Sequence, residues 1–505
     1  MINPVGFLDD EPEDAELEQF MQQIVGDSAG DVLSQMRARG IDPRAMMSQN
    51  GKLPDAATVR AGMEQVRRIM TASGDAPVNT VIAHDMARQA AMKGGDPTIT
   101  AAKADEVAQA FRMAELWLDV ATDFLPPAVK PKAWSRAEWV EATLPAWNKL
   151  LAPVAASMSE ALVKVLGGQF GDDDDDDDPA EHGMLNEDAL KMLGLGGLKP
   201  SELLKRLGAT AYGMQMGQAA GRLSREVFGG TDLGVPLLPK PGAAMLPSNV
   251  AAFATDLDIP LSEVQAYLAV REAAATRLFA SVPWLATHLM GLLEKYAAQT
   301  EIDLRSLEEQ MRDVDPNSAD QLGQAMSGGV FSPRNTDEQK ATLLKLETVL
   351  ALIEGWIEEV TTQATIAHLP HSMSLKEMMR RRRGAGGPAE QAFATLVGLE
   401  LRPRRARDAA TLFGHVFVSG GVAARDGVWE HPDLLPEPVD LDDPAGYLAR
   451  RQAHQMETAD LDAALAQLLA GGFSDSPPPS DGSPLSDSPP PPGGPQPSDI
   501  PEADK

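Results

Sequence analysis

The chain has 505 residues, of which 43% are apolar, with no cysteine and a formal net charge of −30. Without cysteine there are no disulfides, thiolate metal sites or cysteine nucleophiles, a pattern that fits a reducing compartment. The acidic balance argues against non-specific nucleic-acid binding, but residues 1–25, Asp172–Asp178 and residues 474–505 carry −7, −7 and −5, so 19 of the 30 net negative charges lie in three short segments.

In chain order, residues 1–25 read as an acidic tail with neither the basic n-region nor the apolar h-region of a secretion signal. Residues 26–170 read as an N-terminal helical region. Val107, Phe111, Ala114, Leu118 and Ala121 recur at the spacing of one helix face. Ser135 and Glu138 form a capping box that opens the next helix, Trp134, Trp139 and Trp147 anchor its packing, and Pro145 or Pro153 stops or kinks it. Residues 171–184 form an acidic loop, because seven adjacent carboxylates repel one another and lack the interleaved spacing of a calcium loop.

Residues 185–450 form a helical core. Within it, "FGGTDLGVPLLPKPG" (228–242) interrupts the helical pattern and has room for a short extended segment or hairpin. Ser262 and Gln265 cap a helix that Pro283 ends or bends. Further helices are expected over about 336–365, 374–383 and 388–398. Residues 451–473 form a C-terminal helix, and 474–505 a Pro/Ser/Asp-rich tail with too little apolar surface to fold. With only 5% aromatic residues and abundant Ala, Leu and Met, the fold class is all-α or nearly so. No apolar stretch is long enough to span a membrane, so the expectation is a cytoplasmic protein with no membrane partner.

The stretch "AVREAAATRLFA" (269–280) carries the chemistry worth testing. In an HExxH helix two histidines four apart clamp one zinc from one helix face, and the intervening glutamate polarises the bound water. Glu272 stands at the general-base position, but Arg271 and Ala275 stand where the two histidines belong. Arginine stays protonated and alanine has no donor atom. Val264, Leu268, Arg271, Ala275 and Leu278 share one helical face, which makes Arg271 the one charge in an apolar stripe. A charge on a buried face needs a partner, whereas on an open face its stem packs and its head reaches water.

Five segments in this order, "GRLSREVFGGTDLG" (221–234), "LPSNVAAFATDLDIP" (246–260), "YLAVREAAATRLFASVPWLATHL" (267–289), "LALIEGWIEEV" (350–360) and "VWEHPDLLPEPVDLDDPAGYLARR" (428–451), resemble the actinobacterial zincin-like metallopeptidase family. The resemblance implies a multi-helix zincin-like core, with Glu354 as the distant third-ligand position. One branch of the family resembles "REAAH" at the motif, so Arg271 fits that branch and Ala275 departs from it. It further implies a member with impaired or absent catalysis that binds or scaffolds an unidentified protein or peptide. No metal is expected at the degenerate motif, and Glu354, or Glu358 one turn later, is expected to pair with Arg271 in place of zinc. The alternative is an active zinc hydrolase with Glu272 as general base and a relocated site drawing on His288, His368, His371 and Glu354. The runs Arg380–Arg383 and "RPRRAR" (402–407) follow helical segments and are expected to complement helix C-termini, with no nucleic-acid partner.

Overall fold

Helices form nearly everything in the computed structural model, which describes residues 76–170, 199–299, 336–384 and 405–470, together with isolated positions before residue 76 and at 392 and 396. The acidic tail, the Asp172–Asp178 loop, the Pro-rich tail and the helix expected over 388–398 lie outside the described residues, apart from such isolated positions. Described residues up to Tyr447 belong to one compact unit, and those from Leu448 onward to a second.

The first unit begins with α1 (Thr80–Met92), capped by the Asn79 side chain, and α2 (Ala101–Leu118), capped by Thr100. The buried face of α2 is Val107, Phe111, Ala114 and Leu118. Helix α3 (Arg136–Phe170) opens on a reciprocal capping box: the Ser135 amide donates to Glu138 at 2.7 Å, and the Glu138 amide donates to Ser135 Oγ at 3.2 Å. Of the stop or kink expected at Pro145 or Pro153, the stop does not occur: α3 continues through both. An internal proline costs about 3 kcal/mol. Complete burial of Trp139, Trp147, Leu151 and Val154 offsets that cost.

Helix α4 (Pro200–Leu223) packs against α1 and α3. Gly213, Gly217 and Gly221 form a ladder on α4 that faces the cap residue Asn79 and Ala83 and Ala87 of α1 so closely that added side chains would strike the backbone there. The small residues let the two helix axes approach, and burial on α1 falls on Ala83, Ala87 and Ala91.

After α4 the chain loops through residues 224–243 to β2 (Ala244–Met245), which pairs in parallel with β1 (Lys132–Ala133) in the register Lys132↔Ala244 and Ala133↔Met245. Gly229 makes an isolated antiparallel bridge to Met245. The loop is therefore tied at both ends. Helix α5 (Pro247–Thr255) leads to α6 (Leu261–Ser281) and α7 (Pro283–Ala298), with Pro283 separating the last two. Helix α6 begins at Leu261 without a side-chain cap, so Ser262 does not serve the capping role expected of it.

Helix α8 (Asp337–Thr365) is capped by Thr336 and crosses α6. Then come α9 (Ser372–Gly384), α10 (Ala406–Asp426) and the short α11 (Pro438–Asp442). The second unit contains most of α12 (Tyr447–Ala470). No described helix is long and apolar enough to cross a membrane.

Helix α6 is buried continuously from Ala266 to Phe279, as a central helix must be. Its Arg277 is pinned to α2 through Glu115 and through its C-cap Asp119 at 2.7 Å, and to the segment that follows through the carbonyl of Phe124 at 3.0 Å. Helix α8 approaches α10 at Gly355, where an added Cβ would lie 2.6 Å from Ala409 Cβ and 2.6 Å from the Ala410 nitrogen. Gly355→Ala is expected to force α8 and α10 apart and to cost about 1–3 kcal/mol, read as a shift in the urea unfolding midpoint. An unchanged midpoint would mean that the crossing tolerates a side chain.

Candidate functional site

Arg271 lies on the face of α6 turned toward α8. Its Nη2 donates to Glu354 Oε1 in a buried ion pair, and both side chains are less than a tenth exposed. Burial alone would depress the guanidinium, but Glu354 and Tyr267 raise its pKa above the ordinary value. Burial likewise pushes Glu354 up, yet Arg271 and Arg383 overcome it and hold the carboxyl below its usual range. Both groups are therefore charged. The second Glu354 oxygen faces Nη1 of Arg383, from α9, at 3.1 Å. That contact lacks hydrogen-bond alignment, so Oε2 is held by charge alone.

The cluster extends to Asp232 in the 224–243 loop. Arg383 Nη2 donates to the Asp232 carbonyl at 2.5 Å and lies 3.5 Å from Oδ1. Arg382 Nη1 donates to Oδ2 at 3.3 Å, and its guanidinium sits 3.9 Å above the Phe228 ring. Burial raises the Asp232 carboxyl, but Arg382 and Arg383, with the Phe228 amide, bring it below the ordinary value. Arg383, buried and beside Arg271 and Arg382, has its own pKa lowered despite Glu354 and Asp232.

Glu272 turns the other way along α6, onto the loop. It accepts from the Gly230 amide at 2.8 Å, the Thr231 amide at 3.1 Å, the Thr231 hydroxyl at 2.6 Å and the Ala244 amide at 3.2 Å. Trp139 Nε1 holds the same loop from α3, donating to the Gly229 carbonyl at 3.1 Å. Burial drives the Glu272 carboxyl up and the four donors pull it back, leaving its pKa at about 7. Between Arg271, Glu272, Ala275, Arg383 and Asp232 lies a cavity of about 20 Å³, room for about one water molecule.

The remaining candidate residues disperse. Glu358 is bound by Arg380, with Nε at 2.7 Å, and by Lys376 at 3.3 Å, not by Arg271. His288, on α7, meets Trp284 edge-on, and burial with Lys345 nearby lowers its pKa. His368 stacks on Trp117 with ring centroids 4.6 Å apart, and His371 Nδ1 lies 3.1 Å from Glu263. Among the described residues, no three His, Asp or Glu side chains converge as metal ligands. A zinc site needs at least three donors on one ion. The motif positions offer a guanidinium, a methyl group and the carboxylate of Glu354, so they do not fit the metal.

Sequence reasoning missed Arg383, Asp232 and the loop donors. Arg380, Arg382 and Arg383 reach across the fold to Glu358, Asp232 and Glu354, while Arg381 pairs with Glu377 on its own helix at 3.1 Å. Arg405 of the second run pairs with Asp442 at 2.5 Å. A signal for the first run existed: four consecutive arginines point to every side of a helix, so some must meet the core and require acids there.

Residues 78–448 match the family model described as zincin-like metallopeptidase. A comparison with curated proteins finds no match. A crystal structure from Chloroflexus aurantiacus, described as a candidate hydrolase with a novel fold, is similar at 18% identity and a TM-score of 0.49, over 74% of this chain and 99% of its own.

Two measurements check this geometry. Arg271→Ala leaves Glu354 buried with one imperfect partner and is expected to cost about 3–5 kcal/mol. In a double-mutant cycle with Glu354→Ala the two losses are expected to be strongly non-additive, and additive losses would exclude a direct pair. For Glu272, the folded pKa of about 7 lies above the ordinary 4.5. Between those values the native state holds more protons than the unfolded state, so stability falls as pH rises through that window and levels off above about 7. The effect is about 3 kcal/mol. The stability difference between the parent and Glu272→Gln is therefore expected to shrink by about this amount from pH 5 to 8, and a difference constant with pH would show that the carboxyl does not titrate there.

Proposed function

The chain belongs to the zincin-like metallopeptidase family, and we propose that it acts there as a metal-free binding protein rather than as a peptidase. One observation carries this reading: the ion pair of Arg271 with Glu354 occupies two of the three expected ligand positions, and Ala275 occupies the third. Zinc in such a site lowers the pKa of its bound water and polarises the scissile carbonyl. A guanidinium does neither. It supplies positive charge and directed hydrogen bonds, which suit holding helices together.

Glu272 supports the same reading. A general base needs a lone pair aimed at a water that it can deprotonate. Both carboxylate oxygens are instead occupied by amide and hydroxyl donors of the protein. What the fold retains is a cleft beside the buried α6, and binding a protein or peptide segment is the use it supports best.

The test is metal content. Protein purified without chelator, then equilibrated with Zn²⁺ and desalted, is expected to carry well under one zinc per chain by elemental mass spectrometry. It is also expected to leave unfolded casein uncut. About one zinc per chain, lost in Glu354→Ala, would overturn the proposal and restore the hydrolase reading.

A further inference from the structure

On the far side of the Gly230–Thr231 segment from the ion-pair cluster lies a cleft of about 340 Å³. Its walls are the Pro-rich stretch 236–242, the Thr276–Phe279 side of α6, and the face of α7 bearing Ala286, Met290, Gly291 and Glu294. We propose that this cleft is a ligand site for an apolar body carrying an ammonium group. The proposal deepens the binding role argued above and rests on it, but its readout is ligand heat and not metal content, so the two can fail separately.

The apolar part follows from the lining. Leu237 and Phe279 are buried at the base, while Met290 and Leu238 remain half-buried at the sides. The size falls within the range of small-molecule and side-chain pockets. Pro236, Pro239 and Pro241 have no amide hydrogen, so that wall has few backbone donors to compete with a donor-bearing ligand. The cleft is also preformed, because Glu272 fixes Gly230, Thr231 and Ala244 behind it. A preformed pocket binds without first being ordered.

Gly291 is the second, independent observation. It sits in the middle of α7, exposed, and a Cβ there would meet no atom within 4 Å. Glycine in a helix interior costs about 1 kcal/mol relative to alanine. Packing does not require it here, since no neighbour excludes a side chain. Gly291 lines the cleft, so the missing side chain leaves that side of it open.

The charge comes from Glu294. Its Oε1 is out of contact with solvent and lacks a hydrogen bond. Its ion partner is Lys149 Nζ at 3.1 Å, on a side chain that is 73% exposed. A ligand ammonium replaces this loosely held lysine, which itself lines the cleft, with a desolvated partner. The chemistry is shared by small aliphatic amines and by the free amino terminus of a peptide that begins with an apolar residue.

The experiment is calorimetric titration of the full-length protein with octylammonium, octanol and octanoate, and with Leu-Leu-amide in free and N-acetylated forms. Octylammonium is expected to saturate at one per chain and to bind about ten-fold tighter than octanoate, the scale of one charge-assisted hydrogen bond. Gly291→Leu, which raises helix propensity on an exposed face, is expected to melt no lower than the parent and to bind none of the probes. Glu294→Gln is expected to keep octanol binding and lose the preference for the amine. Leu-Leu-amide binding tighter than octylammonium, and lost on acetylation, supports a peptide terminus as the ligand source; octylammonium binding tighter supports a small amine. Absence of saturable binding by every probe, equal affinity for octanoate and octylammonium, or unchanged binding in Gly291→Leu would each overturn the proposal.

Discussion

A carboxylate buried between two helices cannot remain charged alone. Desolvating an isolated ion costs far more than the few kcal/mol by which a domain is stable. Glu354 is such a carboxylate, nearly inaccessible on the inner face of α8. The arrangement around it follows from supplying countercharge. Arg271 comes from α6, Arg383 from α9, and Asp232 balances the arginines from the loop. Three guanidiniums (Arg271, Arg382 and Arg383) thus meet two carboxylates (Glu354 and Asp232).

This solution differs from a metal site in more than chemistry. A dication binds several donors at one point and leaves a coordination position for water. Guanidiniums distribute their charge over planar groups, direct it along fixed N–H bonds and leave no coordination position. The cluster therefore spans α6, α8, α9 and the 224–243 loop, where one ion would have joined three side chains. The cavity beside Ala275 is what remains of the interior on the side where a second imidazole would project from α6.

Glu272 shows how one helix serves two sides of the interior. Its neighbour Arg271 faces the charge cluster, while Glu272 collects amides from the loop that walls the apolar cleft. The loop is poor in regular structure because its glycines and prolines disfavour both helix and strand. It acquires its shape from outside, from Glu272, Trp139, Arg382 and Arg383. A surface shaped by four separate tertiary anchors is rigid without being regular, which suits recognition.

The sequence by itself determined the helical class, the buried face of α2, the extents of α8 and α9 to within a residue or two, the capping box at Ser135, and the identity of the chemically informative helix. These are local properties: periodicity, caps and breakers act within a few residues of themselves. It also determined that zinc's two histidines are missing, because that depends only on which side chains stand at 271 and 275. Tertiary structure alone decided which of Glu354 and Glu358 meets Arg271. They lie one turn apart on one face, and only the crossing of α6 and α8 distinguishes them. It also decided that the arginine run of α9 closes the cluster, that α3 passes through two prolines, and that Glu272 binds a loop about forty residues upstream. Each of these depends on contacts between segments far apart in the chain, where side-chain direction and burial are set by packing and leave no periodic trace in the sequence.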